Sequence, residues 1–301
     1  MDKTAVIVLH YQNNEDTYAC LNSFLLEHKK AKDFQTIVIN NSVSENFSVL
    51  LQKKYPQIQL VENKENLGYA AGVNIGIKRA LSENYRFIII LNNDTLLTKD
   101  TIIKLVKLAE SDSSIGLISP KIYFTRGFEY HRNLYQENEK GTILWYAGGI
   151  LDWANIYASH QGVDQVDKGQ FDKIVETDFA TGCCMLVTKE VIQKIGLFDE
   201  KYFLYFEDID LSVRAKRAGF RVIYQPKACL SHKNASTSGK PGSLLHLYYQ
   251  TRNRLYFGYK YASFRTKKAL FFDSLRLLCT GGMCTKAVFD YYLGKMGKGS
   301  I

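Results

Sequence analysis

Short apolar runs alternate with segments of helical periodicity over the first 120 residues of the chain. The apolar runs are rich in Val, Ile and Leu, which is typical of buried strands, whereas the segments between them repeat their apolar positions every three or four residues. Because uninterrupted apolar strands alternate with helices, we predict an α/β fold in which a mixed, mostly parallel sheet is covered by helices on both faces. The predicted strands are residues 6–9, 36–39, 57–61, 87–91 and 116–119, and the predicted helices are residues 17–28, 48–54, 70–83 and 99–111.

The periodic pattern changes twice after residue 120. Residues 124–174 lack a regular period, so we expect an irregular insertion or a hairpin excursion there. Residues 241–301 repeat Tyr, Phe, Leu, Arg and Lys at helical spacing, which predicts a helical extension beyond a boundary near residues 236–242. Between these regions we predict strands at residues 179–187 and 222–224 and helices at residues 189–195 and 211–218.

Polar clusters follow three of the predicted strands, at the point where each strand ends. Ligands of open parallel sheets bind beyond the carboxyl ends of the strands. Asp94 would emerge at this edge and could hold a hard divalent cation that bridges a diphosphate, with phosphate and water oxygens as the other ligands. A simple turn is the alternative, since Asn and Asp favour turns. The clusters are His10-Tyr11-Gln12-Asn13, Asn40-Asn41-Ser42 and Asn92-Asn93-Asp94.

Two adjacent carboxylates, Glu207 and Asp208, follow the aromatic run of residues 202–206. Aromatic surroundings partly desolvate a carboxylate and raise its proton affinity, so these residues are candidate general bases. The alternative is an ordinary helix start, with Asp208 as the N-cap and Asp210 near the positive end of the helix dipole. The acidic turn upstream and a histidine downstream favour the catalytic interpretation.

Two weaker signals complete the candidate chemistry. Residues 65–76 are glycine-spaced and open a predicted helix, whose first amides could receive a phosphate, although glycines also serve close packing. His232 follows an apolar strand and a predicted turn at Pro226. A lone histidine is more often a surface or hydrogen-bonded residue, and it becomes a metal-ligand candidate only if Asp94 and Asp208 define a metal site. GxSxG, Cys-His and P-loop signatures are absent from the sequence, which argues against a nucleophilic hydrolase or an ordinary nucleotide-hydrolysing enzyme.

Charge and cysteine content narrow the setting. The net charge of +9, from 39 basic and 30 acidic residues, predicts an anionic partner: a phosphorylated substrate, a nucleic acid or a lipid surface. No long basic block occurs, so we do not expect nucleic-acid binding. The six cysteines lack CxxC spacing and indicate reduced thiols in a cytoplasmic protein. We also expect neither a signal peptide nor a spanning helix, because the chain enters a strand-like run at Ala5 and no apolar stretch reaches about 18 residues.

Taken together, these motifs resemble those of the family-two glycosyltransferases of the GT-A fold, in particular the rhamnosyltransferase-like branch, over roughly residues 4–260. Residues 65–76 are similar to the family's ENLGFAxGxNxGI segment, and Asn92-Asn93-Asp94 stands at its DxD-type metal motif. The resemblance implies a role for each candidate residue. The catalytic residues would be Asp208 and Glu207, the acceptor-side residues Thr181 and Gly182, and the ligands of Mg²⁺ or Mn²⁺ Asp94 and His232. The donor nucleotide would be bound by His10, Tyr11, Asn13, Asn40, Asn41, Ser42, Asn66, Gly68, Asn74, Asn92 and Asn93.

The same resemblance implies a reaction and a location. A sugar would pass, with inversion, from a dTDP- or UDP-linked donor to a saccharide or lipid-linked saccharide in bacterial cell-surface polysaccharide synthesis. The enzyme would be peripheral at the cytoplasmic face of the membrane, and rhamnose is a first guess that rests on the resemblance alone. The catalytic GT-A domain would be residues 1–240, with a nucleotide-binding half at about 1–120 and an acceptor half at about 121–240, and the helical extension would be residues 241–301.

Two departures from the family pattern leave alternatives open. Asn40 stands where the base-binding turn usually has Asp, and the metal motif has one carboxylate instead of two. A carboxamide can still accept the imide N–H of a pyrimidine, but without charge assistance. A catalytically inert nucleotide-sugar or carbohydrate-binding module on the same fold is therefore the alternative. A nucleotidyltransferase would require a glycine-rich, basic first loop, which residues 10–13 do not provide.

The extension has two possible roles. A basic amphipathic helix with aromatic residues can lie in a membrane interface and be attracted to anionic lipid. A helix pair that packs on the catalytic domain with a solvated basic face, or that dimerises, is the alternative. The basic residues that suggest the interface are Arg252, Arg254, Lys260, Arg265, Lys267 and Lys268.

Overall fold

The computed structural model describes residues 3–25, 34–42, 45–234 and 242–301 as an α/β fold with a helical C-terminal extension. Within these ranges the strands are β1 (Thr4–His10), β2 (Phe34–Asn40), β3 (Gln59–Glu62), β4 (Phe87–Asn92), β5 (Thr95–Leu97), β6 (Ile115–Phe124), β7 (Leu144–Tyr146), β8 (Gly149–Asp152), β9 (Tyr157–His160), β10 (Val175–Glu176), β11 (Cys184–Thr188) and β12 (Arg221–His232). The helices are α1 (Asn14–Leu25), α2 (Glu45–Lys54), α3 (Gly68–Ser82), α4 (Thr101–Ser111), α5 (Lys189–Ile195), α6 (Glu207–Arg217), α7 (Leu244–Tyr261), α8 (Phe264–Leu278) and α9 (Gly282–Tyr292).

The central sheet has the order β10-β12-β6-β11-β4-β1-β2-β3. Strands β3, β2, β1, β4, β6 and β12 point in one direction, whereas β11 lies antiparallel between β4 and β6. The sheet is thus mixed and mostly parallel along its length, which confirms the predicted fold class. Part of the predicted excursion at residues 124–174 forms a separate β8–β9 hairpin.

Strand β1 shows why the core strands are apolar throughout. Ala5, Ile7 and Leu9 belong to a core cluster shared with α3, whereas Val6 and Val8 belong to a second cluster on the opposite face, shared with α1 and α2. Helices therefore cover both faces of the sheet, and every side chain of the strand is buried.

Two predicted elements differ from the structure. The strand predicted at residues 179–187 begins only at Cys184, because the preceding amides bond to side chains: Ala180 to Ser212 and Thr181 to Ser119. The strand predicted at residues 222–224 continues to His232 as β12, so Pro226 is not a terminating turn. A register shift between Gln225 and Cys229 accommodates the proline inside the strand.

The extension packs against the segment that leads into α6. The Asn253 side-chain amide on α7 donates to the carbonyl oxygens of Tyr202, Leu204 and Tyr205 at 2.8–2.9 Å. Most of the predicted boundary at residues 236–242 and the end of the helix predicted at 17–28 lie outside the described residues. None of the described helices has the length and apolar character needed to cross a membrane.

Candidate active site

The carboxyl edge of the sheet brings the polar clusters together. His10 pairs with Asn40 across β1 and β2, and Leu9 pairs with Asn92 across β1 and β4. The clusters that follow these three strands therefore begin side by side, as the sequence predicts.

Asp94 and His232 meet at this edge because β12 ends beside the turn that follows β4. His232 pairs with Thr95, and its Nε2 lies 3.1 Å from Asp94 Oδ1. Both side chains are about nine-tenths buried. Burial would raise the pKa of Asp94, but the neighbouring His232 outweighs it, so the pKa is lowered and the carboxylate stays ionised. His232 Nδ1 is buried without a hydrogen-bond partner among the described residues.

Glu207 and Asp208 form the first turn of α6. Helix α6 begins at Glu207 after a strained segment in which Phe203, Tyr205 and Phe206 have positive φ angles of 60°, 68° and 75°. Non-glycine residues adopt this conformation at a cost, and such strain concentrates at functional sites. The expected alternative, with Asp208 as the N-cap, is wrong because Phe206 occupies that position.

The environment of this pair separates its two members. Asp208 is half-buried, and its carboxylate accepts the backbone N–H groups of Gly182 and Ile209, each at 2.9 Å. Burial raises the pKa of Asp208, and these two bonds counter part of that increase. Glu207 is buried, and its Oε2 has no hydrogen-bond partner among the described residues. Burial and the charge of Asp208 raise the pKa of Glu207 well above its ordinary value.

Two adjacent backbone residues, Gly182 and Cys183, connect the α6 carboxylates with the turn that carries Asp94. The Cys183 carbonyl accepts the Asn92 N–H at 3.0 Å, and the preceding residue, Gly182, donates to Asp208. Burial raises the pKa of the Cys183 thiol, and the charges of Asp94 and Asp208 raise it further. Antiparallel pairing of β11 with β4 produces this convergence of residues distant in sequence.

Tyr69 is a site residue that sequence reasoning missed. Its hydroxyl donates to the Gly182 carbonyl at 2.5 Å, and burial together with the charges of Glu207 and Asp208 raises its pKa well above the ordinary value. Gly68 precedes it with φ +83°, and a Cβ there would lie 2.6 Å from the Phe203 carbonyl oxygen. The signal was available, since Tyr69 stands where the family segment has Phe.

His10 is held in a buried network at the end of β1. Its Nδ1 is 2.7 Å from the Thr17 hydroxyl, which also accepts from the Asn93 side chain at 2.9 Å. The His10 ring stacks on Phe47 at 3.5 Å between centroids, and burial lowers its pKa to about 4. Its Nε2 is buried without a partner among the described residues. Neutral His10 therefore retains an unused polar atom, and Thr17 joins the candidate site.

The asparagine side chains predicted to bind the donor are largely engaged within the protein. Asn40 donates to Ser48 at 3.1 Å and accepts the Ser42 N–H at 3.0 Å. Asn41 donates to Asn66 Oδ1 and to the Gly68 carbonyl, both at 3.0 Å. These side chains hold the turns that follow β2 and precede α3.

Three other predicted residues occupy different settings. The Asn74 side chain exchanges two 3.0 Å bonds with the backbone of Phe198, so it anchors α3 to that loop. Thr181 is buried beside Gly182, whereas Tyr11 is half-buried at the sheet edge.

An ion pair between Asp16 and Lys233 lies next to Asp94 and His232. Asn13 is exposed, and its side chain donates to Asp16 at 2.6 Å. Asp16 also forms an ion pair with Lys233, whose backbone N–H donates to the Asp94 carbonyl at 3.0 Å. Sequence reasoning missed Asp16 and Lys233, although Lys233 directly follows the histidine of the site.

The donor set fits a cation that brings most of its own ligands. In the described part of the chain, no group of three or more His, Cys, Asp and Glu side chains could hold a metal. Asp94 Oδ1 and His232 Nε2 are 3.1 Å apart, close to the roughly 3 Å between neighbouring ligands of an octahedral ion with bonds of about 2.1 Å. A carboxylate and an imidazole therefore suit an ion whose other positions are filled by diphosphate and water.

The arrangement of the sheet and its helices is the GT-A fold. Two solved structures share the fold over 97% of the chain: GalNAc-T7 with UDP, GalNAc and Mn²⁺, at TM-score 0.65, 14% identity and 54% of its length, and the Pyrobaculum calidifontis mannosyltransferase PcManGT with GDP-Man and Mn²⁺, at TM-score 0.56, 13% identity and 80% of its length. Residues 2–258 match the family described as "Glycosyltransferase like family 2", and the chain belongs to that family.

Curated relatives cover most of the chain at low identity. The low-salt glycan biosynthesis hexosyltransferase Agl10 of Haloferax volcanii is 24% identical over 96% of this chain and 86% of its own length. The N-acetylglucosaminyl-diphospho-decaprenol L-rhamnosyltransferase of Mycobacterium tuberculosis is 26% identical over 66% of each chain. The homologues are thus hexosyl- and rhamnosyltransferases of glycan and polysaccharide synthesis, in agreement with the resemblance.

Proposed function

We propose that this glycosyltransferase moves a sugar from a nucleotide-diphosphate donor to an acceptor hydroxyl by a single, inverting displacement. The observation that supports it is that Gly182 donates to Asp208 while the next residue, Cys183, accepts the N–H of Asn92, so the Glu207–Asp208 pair and the turn that carries Asp94 meet at one sheet edge. One centre can take a proton from the acceptor while the other faces the leaving diphosphate. A retaining double displacement would need a carboxylate nucleophile close to the anomeric carbon as well.

Asp208 is the proposed general base. Burial raises the pKa of both carboxylates, and the charge of Asp208 raises that of Glu207 further, so a proton taken up by the pair resides on the more deeply buried Glu207. Asp208 therefore remains ionised and takes the acceptor proton as the acceptor oxygen bonds to the anomeric carbon and the bond to the diphosphate breaks. Protonated Glu207 can donate a hydrogen bond that orients the acceptor.

Asp94 and His232 are the proposed protein ligands of Mg²⁺ or Mn²⁺. Such an ion, when bound, neutralises the charge that develops on the leaving diphosphate. Lys233, held over the same edge by Asp16, adds a further positive charge near the phosphates.

The metal site can be tested by calorimetry. Asp94→Ala should abolish the Mn²⁺ dependence of nucleotide-diphosphate binding, because it removes the carboxylate of a two-residue site. Asp100→Asn, six residues further along, is the control and should retain that dependence. Equal Mn²⁺ dependence in Asp94→Ala and the parent protein would reject the site.

The donor is proposed to be a dTDP- or UDP-linked sugar, with rhamnose as the first guess. Asn40 Oδ1 keeps a second lone pair beside its bond to Ser42 and can accept a pyrimidine imide N–H. The acceptor is proposed to be a saccharide or lipid-linked saccharide at the cytoplasmic face of the membrane, in bacterial cell-surface polysaccharide synthesis. The mycobacterial relative, whose name specifies an N-acetylglucosaminyl-diphospho-decaprenol substrate, supports this choice.

A donor screen tests the proposal. Thermal shift with uridine, thymidine and guanosine diphosphate sugars, each with and without Mn²⁺, should show stabilisation by a pyrimidine diphosphate sugar that depends on the metal. Donor turnover with the bound sugar should follow, with an inverted product by NMR. Binding without transfer or hydrolysis would favour the inert-module alternative, and selective binding of guanosine diphosphate sugars would reject the base assignment.

A further inference from the structure

The positive charge of the chain is concentrated in the helical extension. Residues 242–301 contain ten of the 39 basic residues but only two of the 30 acidic residues, a net charge of +8. Residues 1–241 therefore carry a net charge of only +1. The partner for this charge should be sought at the extension, away from the catalytic edge.

The structure moves the basic surface from α7, where the sequence predicted part of it, to the later helices. Arg252 is fully buried and donates to the Tyr202 carbonyl at 3.2 Å. Arg254 forms an ion pair with Asp273 at 2.7 Å. Lys260 forms ion pairs with Asp210 on α6 and with Asp199, which precedes α6. Arg252, Arg254 and Lys260 therefore hold the extension against the rest of the protein.

Helix α8 presents an apolar stripe to solvent. Phe264 is 84% exposed and Phe272 58% exposed, and Phe271 and Leu275 continue the stripe at 43% and 42%. These positions are i, i+7, i+8 and i+11, which lie on one side of a helix. The opposite side is buried and consists of Thr266, Leu270 and Ser274.

Basic residues flank this stripe, and α9 carries further exposed apolar residues. Arg265 and Lys268 are exposed on the outward side of α8. On α9, Phe289 and Leu293 are 53% and 67% exposed, one turn apart. The Tyr292 hydroxyl on α9 lies 2.8 Å from the Ser274 hydroxyl, so α9 contacts the buried side of α8.

We propose that the outward face of α8 and α9 docks on an anionic lipid bilayer. Exposed phenylalanine and leucine side chains can enter the headgroup–acyl boundary while arginine and lysine contact lipid phosphates. A second copy of the chain fits poorly, because the same surface on both partners would bring the exposed Arg265 and Lys268 of one copy against those of the other. This docking proposal rests on the membrane location given under the proposed function. Its test needs neither donor nor acceptor, so the docking surface can be rejected while the proposed reaction stands.

Vesicle flotation tests the docking surface. The full chain should bind vesicles of phosphatidylcholine with phosphatidylglycerol, weakly bind pure phosphatidylcholine, and lose binding as salt is raised. Phe264→Ser with Phe272→Ser should lower the partition coefficient by on the order of tenfold or more. Arg265→Gln with Lys267→Gln and Lys268→Gln should lower it by on the order of 100-fold.

Matched controls remove the same groups elsewhere. Val49→Ser with Leu50→Ser changes two exposed apolar residues of α2, and Lys53→Gln with Lys78→Gln and Lys107→Gln removes three exposed charges. Both controls should bind vesicles within about twofold of the parent protein.

Two outcomes would overturn the proposal. One is equal vesicle binding by the extension variants and their controls, or absent binding by the parent chain. The other is a dimer in light scattering without vesicles that dissociates in Phe264→Ser with Phe272→Ser, which would assign the surface to a second copy.

Discussion

The carboxylates on the two sides of the first turn of α6 have different kinds of partners. On the side facing the extension, Asp210 is fully buried and is bound by two cations, Arg214 at 2.7 Å and Lys260 at 2.8 Å, and by the Tyr261 hydroxyl at 2.7 Å. On the side facing the sheet edge, Asp208 accepts two backbone N–H groups, and no cation among the described residues forms an ion pair with it.

This difference distinguishes a structural carboxylate from a reactive one. A buried carboxylate that is held by several donors contributes to stability, because removing it would leave its cations uncompensated. A buried pair with only backbone partners keeps a high proton affinity, which suits proton transfer. The following predictions test that contrast, from the largest expected effect to the smallest.

Asp208→Asn should reduce kcat by at least about 100-fold, because it removes the proposed general base. Donor affinity by calorimetry should stay within about threefold, since the residues proposed to bind the nucleotide and the metal lie on elements other than α6. Turnover equal to that of the parent protein would reject Asp208 as the base.

Asp210→Asn should act on stability instead. Removing one member of a buried, paired charge cluster costs about 3–5 kcal/mol, here by leaving Arg214 without its carboxylate and Lys260 with Asp199 alone. The free energy of unfolding, from denaturant titration at pH 7, should fall while kcat per folded molecule is kept. A large loss of kcat with unchanged stability would erase the contrast between the two sides.

Glu207→Gln should stabilise the protein progressively as pH rises. Because burial and Asp208 raise the folded-state pKa of Glu207, folding retains a proton that the unfolded chain releases above about pH 4.5. The parent protein therefore loses stability as pH rises from there towards the folded-state pKa, and the glutamine variant lacks this loss.

The measurement is the difference in thermal midpoint between variant and parent at pH 5 and at pH 8, which should grow by a few degrees. Glu65→Gln, at an exposed position, is the control. A difference that is constant with pH would show that Glu207 is already satisfied in the folded protein.

Tyr69→Phe should have the smallest effect, a loss in kcat of less than about tenfold, the size of one hydrogen bond. When the Tyr69 hydroxyl no longer donates to the Gly182 carbonyl, Gly182 is held less rigidly, and its N–H should bind Asp208 less firmly. That N–H lowers the pKa of Asp208, so its loosening should move the acid limb of the kcat–pH profile to higher pH. Tyr55→Phe, which removes a hydroxyl bonded to Asn22, should leave the limb unmoved.

Much of the site was predictable because it is local in sequence. The end of an apolar strand puts Asn92, Asn93 and Asp94 at the carboxyl edge whatever the rest of the chain does. An aromatic run before adjacent acids likewise indicated Glu207 and Asp208. The residues missed, including Tyr69, Thr17 and Lys233, act through partners that are remote in sequence.

The sequence by itself determined the alternation of strands and helices, the polar strand ends and the family, since each depends on short-range periodicity or on residue order. Tertiary structure decided that β11 runs antiparallel between β4 and β6, which brings Gly182 within hydrogen-bond distance of Asp208 and Cys183 within hydrogen-bond distance of Asn92. It also decided that Arg252 is buried while Phe264 is exposed. These outcomes depend on which distant surfaces meet, and local pattern carries no information about a partner fifty or a hundred residues away.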